Sequence, residues 1–361
     1  MAVMVFRSTD TGAPSFDWTT GLLHTLLQKC LVTGYNPSTI SSMTRVGTTV
    51  TVVTSAAHNL APSIQSFRYI NILGANQTEY NGTWKITNFV NTTTFTFEIA
   101  TTPVTPATGG SIVVSVAHAG WTMPFTGTNQ AAFKQPAGSN GFYINVYDGG
   151  SNANNTVRMY ETMSAIATGT NPSGIVNMYK DQNPATSWIL ITNGKFIYFL
   201  HSTNSYGFNG FCFGDFPSNS INSDIYNTFL MGGDGGSTNS QWNNVASTNK
   251  HIMRDVGQTG NYINTYVIPD GVQPTSTIGI GNMQYPDIVR GALVVSPIYL
   301  ITGSGKRGQL PGILSPSHTT RVFADLDLIV GAGDYLGKTY LCKYLSTTGN
   351  SYALFEISDT W

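Results

Sequence analysis

Thr49-Val-Thr-Val-Val-Thr54, Arg68-Tyr-Ile-Asn-Ile-Leu73, Thr83-Trp-Lys-Ile-Thr87, Thr94-Phe-Thr-Phe-Glu-Ile99 and Ser111-Ile-Val-Val-Ser-Val116 decide the fold class. Each segment alternates polar and apolar side chains, the period of a half-buried antiparallel strand. Turn residues stand between them at Val46-Gly47, Leu73-Gly74-Ala75-Asn76, Asn81-Gly82 and Gly109-Gly110. Five such strands suffice for a small barrel or sandwich. The two ends of the series can meet on one face, so it reads as a module inserted in a surface loop of a host domain. The expected organisation is an inserted small five-to-six-stranded β-barrel or sandwich module over 41–116. A discontinuous β-rich host domain takes 1–40 and 117–361.

Working outward, the host contributes one clear helix signal. Leu22, Leu23, Leu26, Leu27 and Leu31 recur at three and four residues, with Gly34 as a stop. This predicts an N-terminal amphipathic helix over about 18–33, capped by Asp17 or Thr19. A weaker helix pattern covers Arg158–Ala167. Strands are expected at Gly141–Tyr147, Ser187–Ile191, Lys195–Leu200, Phe208–Phe213 and Gly291–Ile301. Thr192-Asn193-Gly194 makes 187–191 and 195–200 a hairpin. The Ser/Asn/Gly-rich stretch 217–249, with Gly232-Gly-Asp-Gly-Gly236, reads as long loops. Thr339–Leu345 and Ser351–Ile357 read as a closing strand pair, with Trp361 packed down. The fold class is therefore mainly β: an antiparallel scaffold, one N-terminal helix and an inserted β-module.

Composition limits the chemistry. Of 361 residues only 17 are Lys or Arg and 18 Asp or Glu, so 10% are charged, against about 25% in ordinary soluble domains. With net charge −1 and Lys306-Arg307 as the one adjacent basic pair, the phosphate neutralisation that nucleic-acid binding needs is missing. No 18-residue apolar run exists, and Met1–Arg7 is too short for a signal-peptide core, so membrane insertion is not expected. Cys30, Cys212 and Cys342 lack metal or disulfide spacing and read as small buried side chains.

Four patterns resemble chemistry by letter. Ala332-Gly-Asp-Tyr-Leu-Gly337-Lys338-Thr339 approaches a P-loop, but Tyr-Leu-Cys-Lys-Tyr-Leu follows with strand alternation where a helix is required. Gly303-Ser-Gly305-Lys-Arg-Gly308 matches a dinucleotide fingerprint, yet Gln309-Leu-Pro311-Gly312 forbids the helix. Asp325 and Asp327, at i and i+2, share one face of a strand. Glycosidase carboxylates about 5–10 Å apart, a Ca²⁺ site with Asp334, and a structural or surface role are the readings, the last favoured. The histidines (24, 58, 118, 201, 251 and 318) form no HxH or HxxxH pair. His58 is expected to fix a loop, and His24 to pack or face solvent. Phe196, Tyr198, Phe199, Tyr206, Phe208, Phe211, Phe213 and Phe216 read first as sheet core, then as an interface or glycan site. No catalytic, cofactor-binding or metal-binding residue is assigned, and no cofactor or enzyme activity is expected.

Two resemblances sharpen this. Ala57-His58-Asn59-Leu60, Ile70-Asn-Ile-Leu-Gly74-Ala75, Glu79-Tyr80-Asn81-Gly82-Thr83-Trp84 and Thr94-Phe95-Thr96-Phe97 resemble a small β-domain inserted in many tailed-bacteriophage tail and virion proteins. Its fold is similar to the first catalytic-cysteine half-domain of ubiquitin-activating enzymes. The module has no cysteine, so the resemblance implies a spacer or adhesion role. The host resembles a family of phage virion-associated proteins, through Phe6-Arg-Ser-Thr-Asp-Thr-Gly-Ala-Pro14, Gly120-Trp121, Phe125-Thr-Gly-Thr-Asn129, Gly138-Ser-Asn-Gly-Phe-Tyr143, Tyr160-Glu-Thr-Met163, Phe213-Gly-Asp-Phe216 and Gly333-Asp-Tyr-Leu-Gly-Lys-Thr339. In that family the Gly-Tyr at 34–35 runs almost directly into the Gly-Trp at 120–121. The resemblance implies a non-enzymatic structural subunit of the virion tail, baseplate or neck, made in the bacterial host cytoplasm. Its implied partners are other virion proteins and copies of itself, without nucleic acid or membrane insertion. The alternative is a particle-surface decoration or receptor-binding protein whose partner is a host-surface glycan.

Overall fold

Alternation in the sequence becomes a closed barrel because one long strand joins both of its halves. The computed structural model describes residues 2–62, 64, 68–149, 152–180, 186–203, 207–220, 224–232, 249–257, 260–269, 295–303, 305–316, 322–345, 352–358 and 361. Contacts divide the chain into two units: Met4–Ser15 with Thr25–Gly120, and Met1–Val3 with Phe16–His24 and Trp121–Trp361.

The first unit contains β1 (Met4–Arg7) and six barrel strands: β2 (Tyr35–Val46), β3 (Thr49–Thr54), β4 (Tyr69–Leu73), β5 (Gly82–Phe89), β6 (Thr94–Glu98) and β7 (Val113–Val116). The barrel order is β2-β3-β6-β5-β4-β7. β2 pairs with β7 through Tyr35–Thr39 and with β3 through Ile40–Val46, with register shifts in both pairings. Such bulges bend a strand and increase its twist, which closure of a small barrel requires. The strand is absent from the sequence reading because Asn36-Pro37 interrupts its alternation. The barrel consequently begins at Tyr35, upstream of residue 41. Val50, Val52, Ile70, Ile72, Phe95, Phe97 and Val114 point inward and are fully buried.

A buried ion pair ties Met4–Ser15 to this barrel. Arg68 Nη2 lies 3.0 Å from Asp10 Oδ2, and Arg68 also donates to Leu60 O and Val5 O at 3.2 Å each. Asp10 accepts further bonds from Tyr35 Oη and the Arg7 amide. Burial and the nearby Asp10 carboxylate push the Tyr35 phenol far up.

In the second unit β8 (Thr122–Gly127), β9 (Gln130–Lys134), β10 (Tyr143–Asp148) and β11 (Asn152–Tyr160) are followed by the hairpin β12 (Thr162–Ala165) and β13 (Thr168–Thr170), then by β14 (Val176–Lys180). Their main sheet runs β14-β11-β10-β9-β8. The helix expected over Arg158–Ala167 is therefore corrected to strand and hairpin. Thr156, Val157 and Thr162 favour extended backbone, Tyr143–Asp148 offers β11 a partner, and Ala167 turns the hairpin with φ +54°.

A second sheet contains, in order, β15 (Trp188–Thr192), β16 (Phe196–Thr203), β17 (Gly207–Asp215), β18 (Thr228–Met231), β19 (Lys250–Ile252) and β20 (Ile263–Asn264). Asn193 Oδ1 accepts the Lys195 and Phe196 amides at 3.0 and 2.8 Å, which fixes the β15–β16 turn. β18 corrects the reading of 217–249 as loop: Thr228-Phe-Leu-Met231 is wholly buried, and 221–223 and 233–248 lie outside the described residues. The third sheet consists of β21 (Tyr266–Pro269), β22 (Val295–Thr302), β23 (Gly305–Pro316), β24 (Leu328–Val330), β25 (Thr339–Tyr344) and β26 (Tyr352–Glu356), ordered β21-β22-β23-β26-β25-β24.

Gly210 shows how tightly β16 and β17 pack. Its φ is +150°, and a Cβ there would stand 1.9 Å from Phe199 O. Gly210→Ala is expected to cost at least about 2 kcal/mol, because the obstructing atom is ladder backbone rather than a movable side chain. Urea unfolding of the variant checks this.

The helix is shorter than its leucine spacing predicts. α1 covers Leu22–Gln28, and Lys29–Thr33 continues as a wider π turn that ends at Gly34, φ +73°. Asp17 Oδ1 takes the Thr19 amide at 2.6 Å in a local turn, which holds 17–20 outside the helix. Neither expected cap serves α1. The Leu23 amide donates instead to Asp148 Oδ2 at 2.8 Å, from the end of β10. Leu23, Leu26, Leu27, Cys30 and Leu31 are nonetheless fully buried. No helix among the described residues is long and apolar enough to cross a membrane.

Candidate functional site

The sequence motifs disperse into turns and strands. Within Ala332–Thr339, Gly333–Tyr335 is a single 3₁₀ turn and Thr339 opens β25, so no helix presents amides to a phosphate. Gly305 opens β23, and Ser304 lies outside the described residues. Asp325 and Asp327 do not share a strand face as expected. They sit in the turn before β24, where Leu326 has φ +72°. Asp325 Oδ2 pairs with Lys343 Nζ at 2.6 Å, its Oδ1 accepts the Tyr344 amide, and Asp327 Oδ2 accepts the Ala324 amide. Both carboxylates hold the turn. Among the described residues no group of three His, Cys, Asp or Glu could hold a metal ion.

The other candidates have structural surroundings. His58 Nε2 lies 3.0 Å from Asn91 O, and its Nδ1 accepts the Leu60 amide at 3.0 Å, so the ring fixes the 58–60 loop. The three cysteines are buried, and none of them forms a disulfide. Phe196, Tyr198, Phe199, Phe211, Phe213 and Phe216 are sheet core. Tyr206, the Phe208 side chain and His318 lie outside the described residues.

Several ionisable groups are paired inside the second unit, most of them unmarked by any sequence pattern. Lys180 Nζ and Asp148 Oδ1 are 2.7 Å apart and fully buried. Arg307 grips both oxygens of Asp224 at 2.8–2.9 Å. Burial alone would raise the Asp224 carboxyl, but the guanidinium and the Ser218 hydroxyl hold it below the usual range. Arg254 forks onto Glu161 and lies over the Tyr226 ring at 4.9 Å.

One surface combines polar groups with aromatic rings. A hollow of about 360 Å³ is lined by Asn140, Asn193, Lys195, Asp215, Asn227 and Trp361, among others. Trp361, Pro217 and Pro311 also border a second hollow of about 210 Å³, which reaches Tyr335, Lys338, Tyr340 and Glu356. Tyr335, Tyr340 and Leu314 are shared in turn with an apolar hollow of about 390 Å³. The three hollows are neighbours that share walls, and together they are called the groove of the second unit.

Hydrogen bonds hold its polar end in place. Asp215 Oδ2 accepts the Asn140 amide at 2.7 Å, and its Oδ1 accepts Thr228 Oγ1 at 2.7 Å and Gln135 Nε2 at 2.9 Å. Burial pushes the Asp215 carboxyl upward against these donors and the nearby Lys195 charge. Asn140 Nδ2 bridges to Asn227 Oδ1 and Thr228 Oγ1, each at 2.9 Å. Trp361 Nε1 donates to Glu356 O at 2.7 Å, and its ring meets Tyr198 edge-on at 5.6 Å. Gly312, with φ +64°, leaves space for the indole: a Cβ there would stand 2.2 Å from the ring. Sequence reading anticipated a packed Trp361 but not this groove, because its walls come from separate loops and sheets. In comparison with known proteins, no family model matches the chain and no curated protein matches it.

Proposed function

We propose that the chain is a non-enzymatic structural subunit of a tailed-bacteriophage virion, in the tail, baseplate or neck. It acts through contacts with neighbouring virion proteins and copies of itself. The observation that carries this reading is the uncharged, apolar edge of the third sheet. β24 is an edge strand, with Leu328 49% and Val330 75% exposed, and Leu336 beyond it is 80% exposed. At three residues β24 offers little backbone for strand addition, but its exposed apolar side chains and Leu336 offer a neighbouring protein an uncharged apolar contact. The buried ion pairs support the same reading, since they take charge from an already charge-poor surface.

Antibody-gold labelling of intact particles tests the proposal. Label at the tail, baseplate or neck is the expected outcome, and its absence from complete, permeabilised particles would refute it. Val330→Asp and Leu336→Asp are expected to change stability by no more than about 0.5 kcal/mol while lowering incorporation into particles, measured by immunoblot of purified virions. The groove at Trp361 favours a second reading, a particle-surface protein that binds a glycan.

A further inference from the structure

We propose that the groove of the second unit binds a short, uncharged oligosaccharide with at least one methyl-bearing unit, an acetamido or a 6-deoxy sugar. The inference rests on the glycan-binding reading and identifies the ligand class and the residues.

The first argument is rigidity. Sugar rings bury C–H faces on aromatic side chains, and the contact is most favourable when the aromatic ring is already immobile. Trp361 is held by its bond to Glu356 O, by Tyr198 and by the close approach of Gly312. It stands at the wall common to two hollows, where one ring can contact consecutive sugar units.

The second argument is polar preorganisation. Asn140 and Asn227 are cross-bonded to each other, and Asn140 is also bonded to Asp215 and Thr228. Their orientation is therefore set before a ligand arrives. The Asn140 side-chain oxygen can accept a hydroxyl proton, and the Lys195 ammonium can donate to a ring or hydroxyl oxygen.

Charge selects among ligands. Lys195 and Asp215 line one compartment, and the Lys338–Glu356 pair, 2.8 Å apart, lines the next. Among the described lining side chains two cations balance two anions, so these side chains offer no net attraction to a sulfated or uronic-acid polymer. Beyond Tyr335 and Tyr340, the third hollow is bordered by Leu314, Phe323, Ile329 and Leu354. Its mainly apolar wall favours a methyl group over a bare hydroxyl, which would give up hydrogen bonds to water for few protein partners.

The test applies the full chain to an array of neutral bacterial-surface oligosaccharides. The array includes acetamido and 6-deoxy members, their fully hydroxylated counterparts and sulfated heparin fragments. Any hit is then titrated by calorimetry. Saturable binding of a methyl-bearing neutral oligosaccharide is expected, weakened at least tenfold by Trp361→Ala. Tyr335→Ala and Lys338→Ala alter half-exposed side chains and guard against misfolding of the Trp361 variant; each is expected to weaken binding at least threefold, and a cooperative unfolding transition verifies that each variant is folded. Retention of heparin alone, retention of no neutral glycan, or binding indifferent to all three substitutions would overturn the inference. Particle labelling reports separately on the structural proposal, so either can fail alone.

Discussion

Asp148→Ala is expected to destabilise the second unit by about 3–5 kcal/mol, the usual cost of removing one partner from a buried ion pair. The carboxylate has two functions. Its Oδ1 pairs with Lys180 Nζ at 2.7 Å, and its Oδ2 caps the Leu23 amide at 2.8 Å. Lys180 is left with Thr19 O at 2.8 Å and the Phe16 ring at 5.3 Å, neither of which replaces an anion. Burial already lowers the Lys180 pKa while Asp148 raises it, so without Asp148 the ammonium has lost its main support. Asp148→Asn keeps an acceptor for the Leu23 amide and should cost less than the alanine variant. Adding Lys180→Met to Asp148→Ala should recover part of the loss by removing the stranded charge. Urea unfolding of the four proteins measures these differences. Equal stability of Asp148→Ala and the parent would contradict the account.

Acidification from pH 7 to pH 4 is expected to remove about 3 kcal/mol through His251 alone, at 1.36 kcal/mol per pKa unit. Burial pushes this imidazole from its ordinary 6.5 down to about 4, against the opposing hydrogen bond that Asn264 accepts. Its Nδ1 lies 3.0 Å from Asn264 Oδ1, while Nε2 has no hydrogen-bond partner among the described residues and the ring meets Tyr262 edge-on at 4.8 Å. Between pH 6.5 and 4 the unfolded chain binds a proton that the folded chain refuses, so stability falls with falling pH in that window. Burial lowers His24, His58 and His118 as well, and these add in the same direction. Asp215 acts oppositely: its raised carboxyl takes up a proton more readily in the folded chain, which offsets part of the loss near the carboxylate range. His251→Gln should flatten the profile between pH 6.5 and 4, and chemical-denaturant stability at half-unit pH steps reads it. An unchanged slope in that variant would remove His251 as the cause.

The strand readings show how far local sequence reaches. Thr49–Thr54 coincides with β3, and Thr94–Ile99 and Thr339–Leu345 each differ from an observed strand by one terminal residue. Their alternation and flanking turns are local properties. Arg158–Ala167 reads as helix because Tyr160, Met163 and Ala167 have helical spacing, while pairing of β11 with Tyr143–Asp148 and the β12–β13 hairpin impose extended structure. The fold of Tyr35–Val46 was equally hidden, since closure of the barrel depends on strands far away in the chain.

The amino-acid sequence by itself determined a mainly β chain, its glycine and asparagine turns, and its low charge. All of these follow from composition and from neighbours a few residues apart. Only the tertiary structure decided which charges are buried together, what caps the helix and where rings and amides form a groove. Asp148 meets Leu23 across 125 residues of chain, Lys180 meets Thr19 across 161, and Trp361 borders loops that begin near Gly138. Such pairings carry no periodic signal, because they are set when separate sheets pack and exclude water.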